Sequence, residues 1–293
     1  MLFQEKTGCH MGRIDLHLHT TCSDGSLSPT DVVTLGHTAG LKALAVTDHD
    51  TIDGLAEALT AGTGLGIEVI PGIEISARFE GRETHILGYF IDWKDVRLSE
   101  HLEHQRASRH QRNPQVVEKL NQLGLELTYA EVIETAGSDS VGRPHIAQAL
   151  LHKGHVQSIQ EAFDRYLKDG GAAYVPRVLP DATEVIRWIR EAGGVSVLAH
   201  PQWVKPPHLP LLTVCRSLKD SGLIGIEVFY STHTKRQTSE YLEISRTLDL
   251  LITGGSDFHG SAKPDIRIGY GRGDLKVPEK LLEPLRQAIP QTV

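Results

Sequence analysis

Short apolar runs recur along this chain, and nearly all of them end in a histidine or a carboxylate. The runs 13–19, 42–47, 68–70, 195–199, 225–229 and 250–253 have the length and composition of buried strands, and helix-type patterns separate most of them. Repeated strand–helix units predict an α/β fold on a mostly parallel sheet, either open or closed into a barrel. In such folds the loops that follow the strands converge on one face, so residues at strand ends meet in space. That rule, more than composition, limits what the chain can be.

Helix signals support the alternation. Ser28, Pro29 and Asp31 supply an N-cap, a proline in the first turn and an acid near the positive end of the dipole. Asp181 and Glu184 form a capping-box pattern. Further helices are expected at 52–61, 211–220, 237–248 and 278–288. The runs 74–76 and 84–90 around Glu80-Gly81-Arg82 predict a hairpin, entered after a turn at Pro71 and Gly72. From 98 to about 170 the strand patterns stop. Helices are expected there at 99–123, 129–136, 144–152 and 159–167, with Pro114 kinking or splitting the first. The expected organisation is a barrel over 12–97 and 171–293, an inserted helical subdomain at 98–170, and a disordered N-terminal extension at 1–11, with Met11 as an alternative start.

The 293 residues, 40% hydrophobic and 23% charged, can bury a large core. A formal net charge of -7 argues against a broad nucleic-acid face, so no stable nucleic-acid partner is expected. An anionic substrate would need a locally positive site made by metals or a few basic residues. Cys9, Cys22 and Cys215 suggest no disulfide framework or CxxC knuckle, which fits a reducing cytoplasm. No signal-peptide pattern opens the sequence, and no run approaches the ~20 apolar residues of a membrane helix.

Histidine is the unusual residue, with 16 copies, and it is the commonest side-chain metal ligand. His17 and His19 close the first strand, two apart, so both rings point to one face while Leu16 and Leu18 point to the other. Asp24 follows in the next loop. Asp48 and His49 close the second strand, Glu74 follows the third, and His85 lies in the hairpin. His200 closes the strand after the insertion, and Asp257 and His259 repeat the two-residue spacing after the last. A lone loop histidine is ordinarily solvated, and Glu74 by itself could be a buried structural acid. Six histidines and three acids at successive strand ends point instead to a metal site, and imidazole with carboxylate suits zinc, manganese or iron. Asp15 is either an acid that orients a histidine or a solvated one. At about three or four protein ligands per catalytic ion, nine candidates support two or three ions.

These segments resemble a known family. Asp15-Leu16-His17-Leu18-His19-Thr20, Ser23-Asp24-Gly25, Thr47-Asp48-His49-Asp50 and Gly255-Ser256-Asp257-Phe258-His259 look like the four motifs of the PHP (polymerase and histidinol phosphatase) family. The resemblance implies a distorted (β/α)7 barrel with a trinuclear centre, usually of manganese, iron or zinc. It implies His17, His19, Asp24, His49, Glu74, His85, His200, Asp257 and His259 as ligands of two or three divalent ions, manganese being the first expectation. Gly142-Arg143-Pro144-His145-Ile146-Ala147, with Tyr174-Val175-Pro176, is similar to the subgroup that hydrolyses 3′,5′-nucleoside bisphosphates and trims short RNA from the 5′ end. By that likeness Arg143 and His145 hold substrate phosphate, a task that suits the bidentate guanidinium. Arg177 and His233 are further phosphate candidates, each weighed against a surface role. The implied partner is a nucleotide or short oligonucleotide, and the implied mechanism is attack by metal-bound hydroxide on phosphorus. No covalent nucleophile is required. The general acid is not evident, with Asp48 and His233 considered for it.

Three rivals share parts of this pattern. A histidinol-phosphate phosphatase would have the same barrel, but the insertion with Arg143 and His145 argues against it. An amidohydrolase also opens with His-X-His, yet it typically has a bridging lysine at a middle strand end, whereas Lys42 begins its strand. A non-catalytic, metal-stabilised PHP module would retain metal without turnover. A dedicated RNA-binding protein is disfavoured by the acidic balance and by only 5% aromatic residues.

Overall fold

The computed structural model describes residues 12–137, 141–204 and 209–291. The expectation for residues 1–11 lies outside them. The described residues form one seven-stranded sheet in sequential order. The order of elements is β1 (Arg13–Leu18), α1 (Pro29–Thr38), β2 (Leu41–Val46), α2 (Leu55–Leu65), β3 (Glu68–Phe79) and β4 (Arg82–Tyr89). There follow α3 (Val96–Gln122), α4 (Tyr129–Ala136), α5 (Arg143–His152) and the short α6 (Ile159–Ala162), which continues into a wider turn over Phe163–Leu167. The chain then forms α7 (Ala182–Glu191), β5 (Val195–Leu198), α8 (Leu211–Asp220), β6 (Gly225–Tyr230), α9 (Lys235–Leu248), β7 (Leu251–Gly255) and α10 (Leu282–Gln287).

β1, β2 and β3 pair in parallel, as do β5, β6 and β7, while β4 runs antiparallel to both β3 and β5. The sheet curls until its ends almost meet. The Asp257 N–H donates to the His17 carbonyl at 2.9 Å, and the His19 N–H donates to the Phe258 carbonyl at 3.0 Å. Glycine makes this approach possible: a Cβ on Gly255 would lie 2.3 Å from the His17 Cβ. The result is a nearly closed barrel of mixed strands.

Alternate positions along the strands feed two cores. Leu44, Val46, Ile73, Ile75, Ile86, Leu198, Ile226 and Val228 pack against residues of the surrounding helices, including Val32, Ala58, Ile189 and Leu218. Ala43, Ala45, Leu87, Tyr89, Val195 and Val197 form the other core. β1 departs from simple alternation. Its register with β2 shifts between Asp15 and Leu18, and Leu16 and Leu18 enter different cores rather than sharing one face.

Two prolines are accommodated where the sequence predicts breaks. β3 runs unbroken through Pro71, which stands opposite Val46 at the last paired position of β2 and just before the pairing with β4 ends at Gly72, so the missing N–H falls at the ends of two ladders rather than inside one. α3 continues through Pro114 and is not split. Its first half, with Leu98 and Leu102, belongs to the barrel core, and its second half, with Val116, Val117 and Leu120, anchors a separate helical core extending to Val175. Burial at both ends compensates for the one backbone bond that proline removes. No helix among the described residues is long and apolar enough to cross a membrane.

Candidate metal centre

Glu74 is the hub of the site. It lies on β3, between the outward-packed Ile73 and Ile75, and is buried. Its Oε1 is 2.8 Å from His85 Nδ1 and 2.8 Å from His200 Nε2. Its Oε2 is 3.2 Å from Nε2 of both His17 and His19, and 3.1 Å from His49 Nδ1. Asp257 Oδ1 is 3.2 Å from His19 Nε2, 3.6 Å from His17 Nε2 and 3.4 Å from His259 Nδ1. Asp24 completes the group, with Oδ1 3.3 Å from His259 Nε2 and Oδ2 3.8 Å from His49 Nε2. All nine expected residues are therefore brought together, in four overlapping sets whose donor atoms lie within 4.8 Å of one another, although Glu74 lies within β3 rather than after a strand and His85 lies within β4.

The donors fit cations better than they fit one another. His19 Nε2, His49 Nδ1 and His200 Nδ1 are buried without a hydrogen-bond partner, although His19 Nε2 is 3.2 Å from two carboxylates. Two ligands each about 2.1 Å from a shared ion, at angles between octahedral and tetrahedral, lie roughly 3.0–3.4 Å apart. The observed spacings cluster near that range. The charge is matched too. Burial opposes ionisation of Glu74, yet His49, His17 and His85 hold it well below the usual carboxylate range. Burial also opposes ionisation of Asp257, and Lys263, His259 and His17 overcome it in the same direction.

A surrounding layer aims these groups. Glu227, buried on β6, takes a hydrogen bond from His17 Nδ1 at 2.9 Å and from the His200 N–H at 2.7 Å. His259 Nδ1 is 2.9 Å from the Asp257 carbonyl, which leaves Nε2 facing Asp24. Tyr230 donates to Asp257 Oδ2 at 2.6 Å. His200 and Asp257 adopt positive φ of 24° and 57°, sparsely populated conformations of the kind that cluster at functional sites. Asp48 is fully engaged, accepting from the Thr20 N–H at 2.7 Å, the Thr20 hydroxyl at 2.7 Å and the Ser23 hydroxyl at 2.5 Å, and so fixes the loop that carries Asp24. Asp15 neither orients a histidine ring nor faces solvent. It is buried and accepts backbone N–H groups from Ser256 at 2.8 Å and Gly269 at 2.7 Å, fastening β1 to the segment after β7.

Beside the cluster stands a group of arginines. Arg143, at the start of α5, donates to Glu83 Oε2 at 2.8 Å, and Glu83 Oε1 is 3.8 Å from His85 Nε2. Arg177 donates to Asp50 Oδ2 at 3.0 Å and to Gln105 Oε1 at 2.9 Å, and Arg109 of α3 bonds the same Asp50 oxygen. Burial, together with Arg143, Arg109 and Arg177, pushes the guanidinium of Arg112 down to about 9. The His145 ring is buried near the cluster. Its Nδ1 accepts from the Gly142 N–H at 3.0 Å, and burial lowers its pKa while Asp24 opposes that shift. His233 is placed differently, with Nδ1 2.9 Å from the Val228 carbonyl and its ring between Tyr230 and Tyr241.

Sequence reasoning missed Glu227, Arg109, Arg112 and Lys263. For Glu227 a signal exists, since it is the single acid inside the apolar strand Gly225–Tyr230. The arginines of α3 carry none, because they sit in a long polar helix where a buried arginine and a solvated one look alike.

A mixed seven-stranded barrel with imidazoles and carboxylates crowded at one end is of the metal-dependent hydrolase class. A family model described as the PHP domain matches residues 15–174. The chain belongs to the PHP family. It is 35% identical to a 5′-3′ exoribonuclease of Haemophilus influenzae, over 84% of this chain and 90% of the relative. It is 30% identical to a 3′,5′-nucleoside bisphosphate phosphatase of Chromobacterium violaceum, over 89% and 92%. It is 34% identical to a phosphoribosyl 1,2-cyclic phosphate 1,2-diphosphodiesterase of Eggerthella lenta, over 87% and 97%. Its structure matches one from Bifidobacterium adolescentis, described as a metal-dependent phosphoesterase, with a TM-score of 0.86 at 32% identity, covering 96% and 98% of the two chains.

Proposed function

We propose that this PHP phosphoesterase removes the 3′-phosphate of 3′,5′-nucleoside bisphosphates, trims 5′-phosphorylated short RNA, or does both. In this reading His17, His19, Asp24, His49, Glu74, His85, His200, Asp257 and His259 hold two or three divalent ions, manganese being the first choice. When bound, such ions lower the pKa of water and polarise phosphoryl oxygens. The remaining work falls to side chains of the chain itself.

One observation carries the choice of a substrate with a second phosphate. Four guanidiniums, those of Arg109, Arg112, Arg143 and Arg177, act on one another beside the cluster and are met there by two carboxylates, Asp50 and Glu83. Four positive and two negative charges leave an excess of two, the charge of one phosphate dianion. A substrate with a second phosphate beyond the scissile one matches that excess. Arg143 offers the bidentate fork. His145 is neutral at pH 7, and since its Nδ1 accepts from Gly142, its proton sits on Nε2, a donor for a phosphate oxygen. The relatives that act on nucleoside bisphosphate and RNA support the same choice. A cytoplasmic setting belongs to this reading, supported by the free thiols Cys22 and Cys215.

The test compares manganese-loaded protein on 3′,5′-adenosine bisphosphate, a 5′-phosphorylated short RNA, a phosphoribosyl 1,2-cyclic phosphate and histidinol phosphate. Either of the first two should be preferred. Preference for histidinol phosphate or for the cyclic ester would overturn the substrate assignment and leave the phosphoesterase class intact.

A further inference from the structure

Trp203 is 58% exposed, yet its ring centre stands 4.7 Å from that of His200 and 5.9 Å from that of Tyr230. It ends the short 3-10 turn Pro201–Trp203, which starts directly after His200. The Trp203 N–H donates to the His200 carbonyl at 3.2 Å, so the indole is fixed to a candidate ligand by one turn of backbone. Both neighbouring rings reach inward: His200 Nε2 contacts Glu74, and the Tyr230 hydroxyl contacts Asp257. An aromatic path thus leads from the cluster to an open indole at the rim.

Two chains of contact leave the same oxygen of Glu74: one runs through His85 and Glu83 to Arg143, and the other through His200 to Trp203. The His85 and His200 rings are only 5.1 Å apart. We propose that Trp203 is the platform on which the nucleobase of the substrate stacks, with the scissile phosphate at Glu74 and the second phosphate among the arginines. This inference rests on the nucleotide reading above. Stacking uses the π-face that every base presents, so the platform accepts purines and pyrimidines with little discrimination.

The test measures binding of adenosine 5′-phosphate and of ribose 5-phosphate, which lacks the base, to manganese-loaded wild-type protein and to the Trp203→Ala and Trp203→Phe variants. Metal content is determined for each. W203A should weaken adenosine 5′-phosphate about tenfold or more and leave ribose 5-phosphate unchanged. W203F should recover most of the loss. Equal weakening of both ligands, or of neither, overturns the inference. Turnover of 3′,5′-adenosine bisphosphate by the wild type separates the two readings. Turnover with base-independent W203A behaviour defeats the stacking platform alone, whereas selective loss of adenosine 5′-phosphate binding without turnover defeats the substrate assignment alone.

Discussion

The Nδ1 of His17 lies 2.9 Å from Oε1 of Glu227, and both side chains are completely buried. Once the His17 ring gives up a proton to ligate, the proton it keeps is the one on Nδ1 facing Glu227, and the lone pair of Nε2 is turned toward Glu74 and Asp257. The other oxygen of Glu227 takes the His200 N–H. One carboxylate thereby aims two of the proposed ligands.

Replacing Glu227 with Gln should lower metal affinity about 10- to 100-fold without unfolding the barrel. Metal titration of the purified variant, alongside its circular dichroism, measures both. A variant that binds metal as tightly as the wild type would remove Glu227 from this role.

Metal loading should depend on pH. Burial disfavours charge on His19 and His85, but Asp257 and Glu74 push His19 up to about 9, and Glu74 with Glu83 pushes His85 up to about 10. Imidazole ligates only when neutral, so below these values protons compete with the ions. Apparent affinity should therefore rise with pH and flatten above them, and loading near pH 7 should release protons. Calorimetry in two buffers of different ionisation enthalpy counts the protons, and a count of zero would contradict the arrangement.

Arg143→Ala should raise KM for a nucleoside bisphosphate by roughly 10- to 100-fold, the worth of a charge-assisted contact, with metal content unchanged. Steady-state kinetics and elemental analysis decide it. Loss of the metals in this variant would show that Arg143 supports the cluster rather than the substrate.

Asp50 docks α3 against the barrel by bonding Arg109, and it bonds Arg177 with the same buried oxygen. Although burial opposes it, Arg177 and Arg109 hold the Asp50 carboxyl well below its usual range. Asp50→Ala leaves these guanidiniums unpaired and should cost about 3–5 kcal/mol of stability, read from urea unfolding. A change under about 1 kcal/mol, within the range of a surface pair, would mean that docking does not depend on Asp50.

The chemistry of the mouth was legible because ligand spacing is a local property. His17 and His19 declare a shared direction by their separation, and the strand-end rule gathers residues as distant as Asp24 and His259 without any knowledge of packing. What depends on packing was not legible. Pro71 and Pro114 read as breaks because their tolerance comes from the ends of two ladders and from two cores that a local window does not contain. Asp15 resembled an orienting acid because it stands two positions before His17, but the backbone N–H groups of Ser256 and Gly269, distant in sequence, take its carboxylate instead. Arg109 and Arg112 acquire meaning only once α3 is laid beside Asp50 and Glu83.

β4 and β5 lie side by side, with Gly88 opposite Ser196, although more than a hundred residues separate them along the chain. The wall of the barrel is continuous across the very point where α3 to α6 depart and return. A lineage could lengthen, shorten or exchange that excursion and leave every strand in register. Descendants of one hydrolytic machine could then diverge in what they digest while the strands that carry the reaction keep their places.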